Sequence, residues 1–211
     1  MRGWVAAASL ALFIALAAPT VWAEEPTPAP ETDFGRPGFY LGGGAAYGFN
    51  LFDSAFEDLF SDVQVGDTWG FYNRLGYRPL RWLAVEAEYE YLHNFGVRAE
   101  GVHLADLRAQ TISANLRFIG PWRFQPYFLL GAGATLFSLN DVQVPGLEVD
   151  HSSFAGRIGI GLDTYVTRNL VIAVGADTVL TTAQVKDPVF SGDTSSTLSY
   201  VAVHMGIDLR F

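Results

Sequence analysis

The last sixteen residues, Ser196 to Phe211, read STLSYVAVHMGIDLRF, and they alternate. Thr197, Ser199, Val201, Val203, Met205, Ile207, Leu209 and Phe211 share one parity. Tyr200, Ala202, His204, Gly206, Asp208 and Arg210 share the other. A strand turns successive side chains to opposite faces, so this stretch presents one oily face and one charged face. Alternation sustained over that length and ending on Phe points to the closing strand of a barrel that crosses a membrane.

Seven further stretches carry the same alternation: residues 39–49, 69–78, 82–92, 109–118, 126–137, 154–166 and 170–180. The clearest is the third, where Leu83, Val85, Ala87, Tyr89 and Tyr91 alternate with Ala84, Glu86, Glu88 and Glu90. The stretch 126–137 is apolar on both parities, so its faces cannot be assigned from the pattern. Each stretch is about the 9–11 residues that a tilted strand needs to cross a bilayer. Short connections follow the second, fourth and sixth stretches. Longer ones, roughly 50–68, 93–108, 138–153 and 181–196, follow the first, third, fifth and seventh. Short turns on one rim and long loops on the other suit an all-β, eight-stranded antiparallel up-and-down transmembrane β-barrel. An even strand number puts both termini at the short-turn, periplasmic end.

The chain begins with one early positive charge, Arg2, then an almost wholly apolar run from Val5 to Ala18 and a Val21-Trp22-Ala23 cleavage-type sequence. Residues 1–23 therefore read as a cleaved signal peptide. Residues 24–37 are acidic and Pro-rich, the composition of an extended periplasmic linker rather than a core. The barrel domain then occupies 38–211. Half of the residues are hydrophobic, there is no cysteine, and the formal net charge is −9. Disulfides and thiolate chemistry are thereby excluded, and nucleic-acid binding lacks its basic footprint.

Alternation alone does not distinguish an oily exterior from the oily interior of a soluble, lipocalin-type barrel. The polar parity is rich in Gly and Arg and carries no lysine, which is a poor soluble exterior. Aromatics gather near strand ends on the oily parity, as an interfacial girdle requires: Trp69, Tyr77, Tyr89, Tyr91, Phe118 and Phe211. With the oily face outward, the interior holds Arg74, Arg78, Arg117, Arg157 and Arg210 against Glu86, Glu88, Glu90, Asp163, Asp177 and Asp208, with His204 nearby. Eight strands leave a space just wide enough for side chains, and buried charges must pair. The expectation is a lumen filled by ion pairs, with glycines on the same parity making room.

The Gly-rich first strand (FYLGGGAAYGF), the acidic third (VEAEYEYLHNF), the QPYFLLGAGAT segment and the terminal Phe resemble the small outer-membrane β-barrel family. That family includes the OmpA transmembrane domain and the opacity-type surface proteins. The resemblance covers 38–211 and does not extend to the periplasmic domain of OmpA. It implies residence in the Gram-negative outer membrane, contact with its lipid and lipopolysaccharide, and a monomer. It also implies insertion by the barrel-assembly machinery, with Phe211 as the assembly signal.

Function is expected in surface interaction through four extracellular loops, with a possible host or cell-surface ligand. A narrow pore or a path for small apolar molecules, as in OmpW-type barrels, is the alternative. Lipid A modification ranks below both, because no nucleophile, base and orienting acid assemble from the sequence. No catalytic residue, metal ligand or cofactor is assigned. His93, His103 and His151 lack metal-ligand spacing and read as exposed loop residues. Gly42-Gly43-Gly44 sits in a strand without the Lys-Ser/Thr of a phosphate loop. The first long loop is amphipathic at helical spacing (Phe52, Phe56, Leu59, Phe60, Val63), with Ser54 and Glu57 as a capping box and acids at Asp53, Glu57, Asp58, Asp62 and Asp67. It reads as a loop helix packed on the rim, and the alternative is an acidic helix that binds a partner, a divalent cation bridging lipopolysaccharide, or the barrel mouth.

Overall fold

The computed structural model describes residues 33–50, 63–99, 102–140, 150–186 and 193–211. The signal peptide and residues 51–62 of the amphipathic stretch lie outside the described residues, while Val63, expected on the helical face, instead opens a short strand. Nine strands follow in chain order: β1 (Gly38–Asn50), β2 (Val63–Val65), β3 (Thr68–Leu80), β4 (Leu83–Ala99), β5 (Val102–Ile119), β6 (Phe124–Asn140), β7 (Asp150–Tyr165), β8 (Leu170–Lys186) and β9 (Asp193–Arg210). Eight of them pair antiparallel with their neighbours, and the ring closes where β1 meets β9 and β4 meets β5. Strand β2 is an addition to the eight, pairing Val63–Val65 with Val97–Ala99 of β4.

The strands outrun the sequence-based segments at the long-loop end. Strand β4 continues to Ala99 and β5 begins at Val102, so most of the expected 93–108 loop is a paired ribbon. His93, His103 and His151 accordingly lie within strands rather than loops. The cause is local: backbone pairing does not need an oily face, so the ladder runs on after the apolar alternation stops. Strands of 16–18 residues are about 55–60 Å long, or roughly 45 Å along the axis at the usual tilt. An apolar band is only about 25 Å tall. The barrel therefore projects well beyond it on the long-loop side.

Burial is inverted relative to a water-soluble fold. Arg78, Arg117, Asp163 and Asp208 have no exposure, whereas Trp69 is 67%, Met205 65% and Phe211 70% exposed. Strand β6, ambiguous from its pattern, turns Gln125, Leu129, Thr135 and Phe137 inward and Phe128, Leu130 and Leu136 outward. Its inward face is itself largely apolar, which is why neither parity stood out.

Two irregularities position the interior. Between Leu92 and Phe95, β4 spends one residue more than β5, which pairs Ala109 and Leu107 over the same interval. This bulge reverses the parity, so Phe95, which strict alternation would send outward, is fully buried inside. At the short-turn end, residues 33–37 do not behave as a linker outside the core. The Phe34 carbonyl accepts from Gln125 Nε2 at 2.9 Å and from Arg78 Nη1 at 3.3 Å, and its ring packs on Tyr165 at 4.9 Å. Asp33 pairs with Arg81 at 2.8 Å. A carbonyl offered to buried donors, and an aromatic ring at an open mouth, are reasons enough for these residues to dock.

Candidate functional site

The barrel interior is layered along its axis. At the short-turn end, beside the docked Phe34, Arg78 donates to Gln125 Oε1 at 3.0 Å and to the carbonyls of Leu80 and Arg81. Next, Arg210 lies between the rings of Tyr40 and Tyr165, 5.0 and 5.3 Å from their centroids, and 3.9 Å from Asp163. Above it Arg74 grips Asp208 with two hydrogen bonds, of 2.9 and 2.6 Å. Arg117 bridges Asp163 at 3.0 Å and Glu86 at 3.4 Å while stacked 3.7 Å over Tyr127. Tyr40 donates to the same Glu86 at 2.7 Å. Fork-shaped guanidinium–carboxylate contacts of this kind are the strong ones.

A second network occupies the middle of the lumen. Arg157 reaches Glu88 at 2.7 Å, Asp177 at 2.7 Å and Glu90 at 3.0 Å. The His204 ring nitrogens lie 2.5 Å from Glu90 and 3.2 Å from Asp177. Tyr200 donates to Glu90 at 2.7 Å and shares a hydrogen bond with Thr111, which reaches Thr135 in turn. Glu88, Asp177 and His204 bring ligand-type atoms within 4.8 Å of one another. The Arg157 guanidinium touches both of those carboxylates and already supplies the positive charge that a cation would bring. Towards the long-loop end an apolar cap closes the stack, with Leu92, Phe95, Phe137, Val179 and Tyr200 all buried.

The twelve charged positions assigned to the interior thus lie inside the barrel and divide into two groups. Arg74, Arg78, Glu86, Arg117, Asp163, Asp208 and Arg210 lie towards the short turns. Glu88, Glu90, Arg157, Asp177 and His204 lie above them. Charge alone missed the aromatic and amide partners Tyr40, Tyr72, Tyr127, Tyr165, Tyr200 and Gln125. Several of them share the inward parity, which was the available signal. Inward glycines are what admit these bulky groups. A Cβ on Gly161 or Gly175 would collide with the Tyr127 phenol, one on Gly76 with Tyr40, and one on Gly42 with Asp208.

Outside, aromatic side chains form two bands. Tyr77 packs on Phe39 (4.7 Å) and Phe118 stacks on Trp82 (6.2 Å, 14°) near the short turns, where Phe211 also lies. Trp69, Tyr89 and Tyr91 lie near the other end, with Phe71 stacked on Tyr91 at 5.3 Å. Trp69 and Tyr77 are separated by eight positions of one strand, about 20 Å along the axis. Phe39, Tyr47, Phe49, Trp82, Trp122, Phe124, Phe128 and Phe154 are exposed as well and were not among the girdle residues expected from the sequence.

An exterior of this kind, wrapped round a charged interior, is the reverse of a lipocalin. The family model "Outer membrane protein beta-barrel domain" matches residues 6–211. The chain belongs to that family. It is an outer-membrane β-barrel protein. Its fold is shared with the outer membrane protein OprG of Pseudomonas aeruginosa (17% identity, 83% of this chain and 96% of that one, TM-score 0.57). Neisserial surface protein A is similar (16%, 82% and 97%, 0.54). So is Ail, the attachment invasion locus protein of Yersinia pestis, in complex with the heparin analogue sucrose octasulfate (16%, 83% and 99%, 0.51). No protein in a search of curated proteins matches the chain.

Proposed function

We propose that this outer-membrane protein is a sealed, non-catalytic barrel that acts through its long-loop end, with both termini in the periplasm. The interior supports the reading: guanidinium–carboxylate contacts centred on Arg74, Arg117 and Arg157, an apolar cap towards the long loops and Phe34 at the short-turn end fill the lumen with buried side chains. Planar-bilayer recording of the refolded chain tests it. The expected trace is flat, and a steady conductance overturns the seal. The outward aromatic bands serve as interfacial girdles, and the barrel-assembly machinery reads the β9 strand through Phe211. Deletion of Phe211 then lowers insertion without changing expression.

Charge indicates what the outer end can meet. The four long connections and adjoining strand ends, 50–68, 93–108, 138–153 and 181–196, carry twelve acids against Arg98, Arg108 and Lys186. A polysulfated ligand such as that bound by Ail suits this surface poorly. Cationic surfaces, or divalent cations bridging it to lipopolysaccharide, suit it well. A second reading is a path for small apolar molecules, favoured by the buried apolar cluster at the outer mouth. Uptake of an apolar fluorescent probe into vesicles containing the protein, and its loss in Phe95→Arg, would support that reading over the sealed one.

A further inference from the structure

The short-turn rim has the opposite charge. Each of the three short turns contributes one arginine: Arg81 between β3 and β4, Arg123 between β5 and β6, and Arg168 between β7 and β8. Arg36, just ahead of β1, is a fourth. The acidic side chain at this rim among the described residues is Asp33, and it engages Arg81. Arg123 donates its Nε to the Tyr165 carbonyl at 3.2 Å, which fixes the guanidinium while leaving its two terminal nitrogens to point elsewhere. Arg168 is exposed, and its side chain has neither an acid partner nor a hydrogen bond among the described residues. Burial, then the like charges of Arg168 and Arg210, lower the pKa of Arg36, with Tyr165 and Asp33 opposing the shift only in part.

These arginines are interleaved with the lower aromatic band. Arg81 precedes Trp82, and Arg123 sits between Trp122 and Phe124; all three rings are more than half exposed. Trp settles at headgroup depth, so the guanidinium groups beside it stand at the level of lipid phosphates. Guanidinium meets phosphate through paired hydrogen bonds, which ammonium cannot reproduce, and the chain uses one lysine among its thirteen basic residues.

We infer that the short-turn rim is a binding surface for anionic phospholipid headgroups, with Arg81, Arg123 and Arg168 as phosphate-contacting groups beside Trp82 and Trp122. In the orientation proposed above, this surface faces the periplasmic leaflet. The leaflet assignment rests on that orientation; the headgroup preference does not.

The full chain, folded in nanodiscs of mixed phosphatidylcholine and phosphatidylglycerol, supplies the test. Native mass spectrometry of the released protein counts the lipids it retains. Retained lipid is expected to be enriched in phosphatidylglycerol by about fivefold for each arginine engaged. Arg81→Gln/Arg123→Gln/Arg168→Gln should return the ratio to that of the bulk, while Arg98→Gln/Lys186→Gln at the other end leaves it enriched. Absence of enrichment in the wild type, or its survival in the triple variant, overturns the inference. So does its removal by inorganic phosphate, which would make the rim a free-anion site. A gel of unboiled samples verifies folding, and Arg168→Gln alone, at a side chain with no structural partner, provides the reading if the triple variant misfolds. The leaflet is read separately. The chain has no cysteine, so Arg168→Cys exposed to an impermeant maleimide on intact cells should stay unlabelled. Labelling there would reverse the orientation and leave the headgroup result standing.

Discussion

Replacing Arg157 with methionine leaves Glu88, Glu90 and Asp177 buried together with only His204 between them. Uncompensated buried charge is costly, and the expected loss is about 3–5 kcal/mol, read as a lower urea midpoint of the lipid-embedded protein. Arg74→Met should behave similarly, yet Arg74→Met/Asp208→Leu should recover much of that loss, because the double change removes the stranded carboxylate. Arg81→Gln touches an exposed pair and should cost less than about 1 kcal/mol. Asp33 has the corresponding pH dependence. Slight burial pushes its carboxyl up, but the Arg81 guanidinium and the Gly35 N–H more than offset this and hold it below the ordinary 3.8. A depressed carboxylate pKa stabilises the docked form at neutral pH, and that contribution is lost as pH falls below about 3.8. Charged residues were legible in the sequence because alternation assigns each a face and eight strands force those faces inward. Their partners were not. Which of five arginines meets which of six acids depends on strand register, and Arg74 and Asp208 are 134 residues apart.

At the scale of elements, strand number and order followed from alternation and connection length, whereas strand ends did not. Hydrophobic alternation reports where lipid begins and ends; hydrogen-bonded pairing continues beyond it. The bulge at 93–94 was equally hidden, since it is a property of pairing between β4 and β5 and not of β4 alone. Its consequence is measurable. Deleting Asn94 restores the parity and sends Phe95 outward, and Phe95→Ala leaves a cavity beside Tyr200 and Phe137 worth about 3–5 kcal/mol. Both should lower the temperature at which the folded band disappears on a gel. The Pro-rich composition of 24–37 concealed the docking of Phe34, because its partners Arg78, Gln125 and Tyr165 come from three other strands. Deletion of residues 24–37 should raise the frequency of brief conductance events without producing a permanent pore, since the Arg–carboxylate layers remain.

The whole molecule is electrically polar: arginine-rich at the short turns, nearly balanced in the lumen and strongly acidic at the long-loop end. Heparin resin should fail to retain the refolded protein at low salt, while cationic vesicles should bind it and release it as salt rises. Unboiled and boiled samples should migrate differently on a gel, the property expected of a closed lipid-facing barrel.

Ring closure by β1 against β9 also dictates an order of events. The first strand cannot find its partner until the last exists, and the Arg74–Asp208 clasp spans most of the chain. Contacts that distant make folding slow and leave little to gain from early, local commitment. Until β9 is in place the wall has an open edge at β1, and the outward Trp, Phe and Leu side chains belong to a sheet that cannot yet close on itself.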